Sequence, residues 1–195
     1  SNRISIGHLA RLAPEKGLDQ LCEAYIGILM RSQREDLDLR AAGYFPRSSA
    51  KWLKALSERT KKAAGKNKVE FFENLSRQEK IEFLSGLDLF SVTAPAPEAK
   101  GLYALEAMAS GVPVVLPDQG VFPEFFARGG GGLLYDPDEP NSLRQNLELM
   151  IEDKELRLRC ATEGRAAVED YFNSERMASE TKEFYQGLLM AGGPQ

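Results

Sequence analysis

The sequence predicts an α/β protein with a doubly wound parallel sheet of about six strands, helices on both faces and further helices at the C-terminus. Three observations lead to this class. Short β-branched or apolar segments alternate with segments of helical spacing along most of the 195 residues. Residues 112–116 are apolar throughout, which is typical of a strand covered on both faces. Glycine and proline separate the segments from one another.

The first half of the chain alternates strands and helices. Leu18, Leu21, Tyr25 and Leu29 recur at helical spacing after the turn-rich segment 13–17. Ser76 and Glu79 form a capping-box pattern that starts another helix. The predicted strands are 4–7, 37–42, 69–72 and 88–93, and the predicted helices are 18–31, a helix capped by Ser48 or Ser49 that runs to about 64, and one that follows Ser76.

The second half completes the alternation. A helix at 101–110 ends at Gly111, and the apolar strand 112–116 follows it. The remaining predicted elements are a short helix at 122–127, a strand at 133–135 and helices at 140–151, 154–171 and 174–189. Strands separated by helices form βαβ units, so helices must cover both faces and the architecture is Rossmann-like.

Composition excludes several classes of protein. The chain has 25 Lys and Arg against 29 Asp and Glu, a net charge of −4, which argues against nucleic acid as a partner. Two cysteines cannot build a disulfide framework or a four-thiolate zinc site. The only histidine, His8, follows the first strand and is expected to be a packed, hydrogen-bonded residue.

Ligands of open α/β sheets bind at the carboxyl ends of the strands, near helix N-termini. Arg11 lies just past the first strand, and Lys16 lies where the next helix begins. Two cations beside free helix N–H groups can hold a diphosphate. Taken alone, the pair fits two solvated surface cations equally well.

The loop after the fourth strand carries Glu98, and Glu106 lies eight residues on, in the helix that follows. A carboxylate accepts two hydrogen bonds at once, as the vicinal hydroxyls of a sugar require. Gly101 between them lets backbone N–H groups approach a phosphate. Alone, Glu106 fits a glutamate favoured by the helix dipole, and Glu98 a solvated loop acid.

Two further loops at the same edge carry weaker candidates. Gly43 permits close backbone approach to a ligand, although a plain turn explains it equally well. Leu75, after the third strand, could meet a nucleobase through main-chain groups. The loop at 118–124 is interpreted as structural.

These loops, taken in order, resemble the C-terminal, nucleotide-sugar-binding domain of the family 4 (group 1) retaining glycosyltransferases, one half of a GT-B fold. RLAPEKG at 11–17 is similar to the family's phosphate loop. The segment 98–115, EAKGLYALEAMASGVPVV, is similar to its E-x7-E motif and the apolar tail after it, and 120–124 with 132–138 resembles the downstream loop and last strand. The resemblance covers residues 4–189.

The resemblance implies a role for each matching residue. Arg11 and Lys16 would hold the diphosphate and stabilise it as a leaving group, and Glu98 would hold the donor sugar. Glu106 would accept hydrogen bonds from the ribose, and the amides of Gly101 and Leu102 would reach the distal phosphate. These cations and amides are aimed where negative charge develops, so neither a metal nor another cofactor is expected, and the nucleoside-diphosphate sugar is a substrate.

The sequence departs from the family at Ala10, which replaces a usual glycine, and at Lys100, which adds a cation beside the donor.

Because the resemblance is to one half of a GT-B fold, residues 1–195 are expected to be one domain that binds the donor, with the N-terminal acceptor domain absent and the isolated domain inactive. We expect a cytoplasmic hexosyltransferase, any contact with the inner face of a membrane being made through the missing domain. A non-catalytic nucleotide-sugar-binding module, or a phosphorylase-like or epimerase-like enzyme, is the alternative.

Overall fold

A computed structural model describes residues 3–65 and 67–191. The predicted alternation of strands and helices is confirmed along this part of the chain. Its strands are β1 (Ile4–Leu9), β2 (Leu37–Gly43), β3 (Val69–Glu73), β4 (Leu89–Ser91), β5 (Val114–Pro117) and β6 (Gly132–Tyr135). Its helices are α1 (Leu18–Ser32), α2 (Ala50–Ala64), α3 (Arg77–Ser85), α4 (Leu102–Ala109), α5 (Phe122–Ala127), α6 (Ser142–Glu152), α7 (Lys154–Tyr171) and α8 (Ser174–Ala191).

The strands form one sheet in the order β3-β2-β1-β4-β5-β6, and every neighbouring pair is parallel. This confirms the predicted Rossmann-like sheet. The chain moves outward from β1 through β2 and β3 on one side, and β4, β5 and β6 lie on the other. The crevice between β1 and β4 is therefore the switch point at which such sheets bind ligands.

Two apolar cores cover the two faces of the sheet. Alternation within β1 assigns Ile6 to the face packed by α1, α2 and α6, and Leu9 to the opposite face packed by α3, α4 and α5. His8 shares the face of Ile6 because strand side chains alternate with a period of two. Helices on both faces explain why the strand cores are almost continuously apolar.

Of three helix starts predicted from the sequence, that of α3 is confirmed and those of α2 and α6 differ. The predicted capping box of α3 is present, with the Ser76 hydroxyl and the Glu79 carboxylate each accepting from the other residue's backbone. Ser49, at the N-cap of α2, makes no side-chain cap bond, because its φ of −90° and ψ of 0° are not extended. The helix predicted from 140 begins at Ser142, after Asn141 adopts a left-handed φ of 76°.

Within the described residues, no helix is both long and apolar enough to cross a membrane.

Helix α8 leaves several large apolar side chains in solvent. These side chains are more numerous than the scattered apolar residues of an ordinary surface, which is typical of a surface that takes part in an interaction. The exposed side chains are Met177, Phe184, Tyr185, Leu188, Leu189 and Met190.

His8 is packed as predicted, but its expected hydrogen bonds are absent. The side chain is completely buried, and neither ring nitrogen has a hydrogen-bond partner among the described residues. The pKa of His8 is lowered from its ordinary value of 6.5 to about 4, because burial, aided by the nearby charge of Lys16, outweighs an opposing backbone interaction with Ser91. His8 is therefore neutral in the folded protein at neutral pH.

We expect His8 to make the protein less stable as the pH falls from about 6.5 to 4, because its imidazole is protonated in the unfolded chain but stays neutral in the folded one. The pKa difference corresponds to a loss of about 3 kcal/mol near pH 4. Urea unfolding of wild type and His8→Leu across this range measures it. If the difference in unfolding free energy between the two proteins does not change with pH, His8 is not the titrating group.

Candidate functional site

An ion pair joins the loop after β1 to the loop after β4. Lys16 Nζ donates to Glu98 Oε2 at 2.6 Å, and both side chains are largely buried. The Tyr103 hydroxyl, in the first turn of α4, donates to the same carboxylate oxygen at 2.9 Å. Lys16 Nζ also lies 5.8 Å from the centroid of the Tyr103 ring. Both side-chain donors bond Oε2, so neither Lys16 nor Tyr103 occupies the second oxygen of Glu98.

The surroundings of Glu98 keep it ionised and Tyr103 protonated. Burial acts to raise the pKa of the Glu98 carboxyl, but the hydrogen bonds from Lys16 and Tyr103 outweigh it and the pKa is lowered. Burial, and then the hydrogen bond to Glu98, raise the pKa of the Tyr103 hydroxyl. Glu98 is therefore a fixed acceptor at neutral pH.

Gly17 fixes Lys16 beside the loop after β4. The residue adopts a left-handed φ of 69°, and the Thr93 hydroxyl donates to its carbonyl. A Cβ at Gly17 would lie 2.2 Å from Thr93 Oγ1 and 3.2 Å from the Ala94 nitrogen. Only glycine allows this backbone conformation and this approach together.

Gly120 supports the other partner of the ion pair. It has a φ of 60°, and a Cβ there would lie 2.5 Å from both the nitrogen and the carbonyl oxygen of Glu98. The Val121 amide donates to the Glu98 carbonyl at 2.9 Å, and Gln119 Nε2 donates to the Ala94 carbonyl at 2.9 Å. The loop interpreted as structural thus positions Glu98.

A cleft of about 540 Å³ opens next to this ion pair, at the carboxyl ends of β1, β2 and β3. Glu106 faces the cleft and is bonded there by Lys80, whose Nζ lies 2.7 Å from Glu106 Oε1. Tyr103 lines the same cleft and so connects it to Glu98. The lining residues are Leu9, Ala10, Gly43, Tyr44, Asn74, Leu75, Lys80, Tyr103 and Glu106.

Arg11 contacts neither Glu98 nor Glu106. Its guanidinium pairs with Glu15 at 2.7 Å, and both side chains are half exposed. The backbone around Arg11 is fixed, because the amides of Ala10 and Leu12 donate to the carbonyls of Ala42 and Tyr44 at 3.1 and 2.8 Å. Arg11 thus follows the cleft residue Ala10 and is paired with an exposed carboxylate, and its role stays a prediction.

Gly101, Leu102 and Lys100, at the start of α4, lie in three different surroundings. Gly101 is buried, and a Cβ there would lie 2.7 Å from the Phe122 ring, so packing within the protein explains this glycine. No side chain among the described residues caps the helix at Gly101, which leaves its first amides open to an anion. The Leu102 side chain lines a separate cavity beside Arg128 and Met177, and Lys100 is exposed.

Gly43 and Leu75, the weakest candidates from the sequence, both line the cleft. The close approach expected at Gly43 is made by the protein itself, because a Cβ there would lie 1.7 Å from the Ala10 carbonyl oxygen. Two polar residues of the cleft, Tyr103 and Lys80, were not singled out by the sequence. No local signal marks Lys80, because α3 also begins with the basic residue Arg77 and the contact of Lys80 with Glu106 joins two separate helices.

Among the described residues, no three His, Cys, Asp or Glu side chains are grouped so that they could hold a metal ion. The charged groups at the crevice are instead two Lys–Glu pairs and the Arg11–Glu15 pair. Metal independence stays a prediction that rests on these cations.

A sequence model of the family described as "Glycosyl transferases group 1" matches residues 1–167. Among curated relatives, the chain is 27% identical over 177 residues to a D-inositol 3-phosphate glycosyltransferase of Corynebacterium efficiens, covering 91% of this chain and 41% of the relative. It is 27% identical over 186 residues to the lipopolysaccharide core biosynthesis mannosyltransferase LpsB of Rhizobium meliloti, covering 94% and 52%. The chain spans about half the length of these relatives.

Solved structures share the fold. The Anabaena protein Alr3699/HepE, crystallised with UDP and glucose, superposes with a TM-score of 0.81 at 24% identity, over 95% of this chain and 49% of that one. The C-terminal domain of a glycosyl transferase group 1 family protein (LpcC) from Francisella tularensis superposes with a TM-score of 0.74 at 25% identity. That domain is covered to 87%, and this chain to 88%.

Gly120→Ala is expected to destabilise the protein by about 3 kcal/mol, because it adds a backbone clash at Glu98 to the strain of a positive φ. Gly111→Ala is the matched control, since Gly111 has a φ of 73° but no atom within 4 Å of its Cβ position. Strain alone predicts a loss of about 1 kcal/mol there. Equal losses in chemical denaturation would contradict the supporting role of Gly120.

Proposed function

The chain belongs to the group 1 glycosyl transferases, and from that premise we propose that it is the donor-binding domain of an enzyme that transfers a hexose from a nucleoside-diphosphate sugar. The transfer retains the configuration of the sugar and uses no metal ion. The acceptor binds to a second domain outside this chain.

The observation that carries the proposal is the ion pair of Lys16 with Glu98 at the switch point of the sheet, directly beside the cleft of Glu106. A cation, a fixed carboxylate and a second carboxylate in a cleft match the three parts of a nucleotide sugar. Lys16 binds the diphosphate, Glu98 accepts from the hexose hydroxyls through the oxygen that Lys16 and Tyr103 do not bond, and Glu106 accepts from the ribose.

The chemistry is that of a stabilised leaving group. When the bond between the sugar and the diphosphate breaks, negative charge grows on the phosphate oxygens. Lys16, Arg11 after exchange of Glu15, and the open amides of Gly101 and Leu102 act on that charge. Lys16 and the two amides are already fixed in place and stabilise the transition state without reorganisation, and Arg11 adds to them once it has left Glu15; these groups take the place of a metal ion.

The nucleobase lies over the part of the cleft formed by Gly43, Tyr44, Asn74 and Leu75. Tyr44 is largely exposed at the cleft mouth and offers an aromatic face to a base. Since the Anabaena neighbour was crystallised with UDP, UDP is the first nucleotide to test.

Two observations support a missing second domain. The chain corresponds to 41% and 52% of the two relatives compared, which leaves more than a third of each unmatched. The exposed apolar side chains of α8 fit a surface that another domain covers.

Glu106→Ala is expected to weaken the binding of a nucleoside diphosphate by about 2–3 kcal/mol, because two charge-assisted bonds to the ribose are lost. Isothermal titration calorimetry with UDP, GDP and ADP measures the effect and identifies the base. Glu155→Gln, exposed on α7 and away from the cleft, is the control. Unchanged affinity in Glu106→Ala would remove Glu106 from the ribose site.

The isolated chain is expected to bind the nucleotide sugar without transferring the hexose, since the acceptor groups lie on the second domain. Release of nucleoside diphosphate from the sugar nucleotide, followed by chromatography, measures turnover. Sustained release that depends on an added acceptor would contradict the two-domain proposal.

A further inference from the structure

Lys80 approaches Glu106 from a different element of the fold. The capping box of Ser76 and Glu79 fixes the start of α3, and the Lys80 amide donates to the Ser76 carbonyl at 2.9 Å. From this position the ammonium bonds Glu106 Oε1 at 2.7 Å across the cleft. The ion pair therefore spans α3 and α4 at the wall of the cleft.

The stability of the fold does not explain this ion pair. The Lys80 and Glu106 side chains are 33% and 40% exposed, and ion pairs at that exposure contribute little. A cation in the first turn of α3 also opposes the helix dipole. The effect of the contact is local, since it fixes one carboxylate oxygen of a residue that lines the cleft.

The contact also balances charge. An unpaired carboxylate at Glu106 would repel the diphosphate of any nucleotide whose ribose it binds, because both groups lie in one cleft. The ammonium of Lys80 offsets that repulsion at contact distance. A similar arrangement occurs at Glu98, where Lys16 bonds one carboxylate oxygen only.

We propose that Lys80 is a positioning residue for the nucleoside diphosphate. It orients Glu106 for the ribose and compensates its charge, so that the cleft accepts a dianionic ligand. This inference rests on the proposed function of the cleft, and it adds a residue that acts through Glu106 without touching the nucleotide.

The test is calorimetry of wild type, Lys80→Met and Lys80→Arg with UDP and with uridine. Lys80→Met is expected to lower the affinity for UDP about tenfold and the affinity for uridine by clearly less, since uridine carries no phosphate. Lys80→Arg keeps the cation and is expected to restore UDP affinity to within about threefold of wild type. Lys62→Met, exposed on α2, is the control.

A double-mutant cycle separates positioning from a general electrostatic effect. If Lys80 acts through Glu106, Glu106→Gln costs less UDP affinity in the Lys80→Met background than in wild type, because the uncompensated carboxylate then repels the diphosphate and its removal relieves that repulsion. The melting temperature of Lys80→Met is expected to stay near that of wild type. Independent, additive losses would overturn the inference.

Two failures are distinguishable. If wild type binds none of UDP, GDP and ADP, the proposed function fails and this inference falls with it. If wild type binds UDP and Lys80→Met binds it equally well, or if Lys80→Met and Lys80→Arg lose affinity and thermal stability together, this inference alone is overturned.

Discussion

The contact on which the site depends is the ion pair between Lys16 and Glu98, two residues 82 positions apart in the chain. The order of the strands makes this contact possible, because β1 and β4 are neighbours while their following helices diverge. Two glycines then fix the loops. Gly17 bonds Thr93 at the end of β4, and Gly120 lies against the backbone of Glu98, so that neither partner of the pair moves independently.

The charges of the site are paired before any ligand arrives. Lys16 donates a hydrogen bond to Glu98 and Lys80 donates one to Glu106, each to a single carboxylate oxygen. An ammonium has three N–H donors, so a diphosphate can share Lys16 with Glu98 without displacing it. A cleft whose charges are nearly balanced, with donors and acceptors held in place, suits a ligand that carries sugar hydroxyls at one end and phosphates in the middle.

Most of the fold could be predicted from the sequence, because helical spacing, apolar runs and glycine or proline turns are local signals. Spacing alone left Glu98 and Glu106 open as a loop acid and a helix glutamate, and the resemblance of 98–115 to the E-x7-E motif singled them out; their roles stay predictions. The contacts that assemble the site are tertiary and gave no such signal. Lys80 resembles any lysine on a helix surface and Gly120 any turn glycine, and the complete burial of His8 follows only from the packed sheet.

The central claim is that the Lys16–Glu98 pair and Glu106 bind one nucleotide sugar together. A crystal structure of the chain with UDP tests it most directly. The account predicts diphosphate oxygens within hydrogen-bond distance of Lys16 Nζ and ribose hydroxyls on Glu106. A nucleotide bound elsewhere, or one whose diphosphate leaves Lys16 untouched, would contradict it.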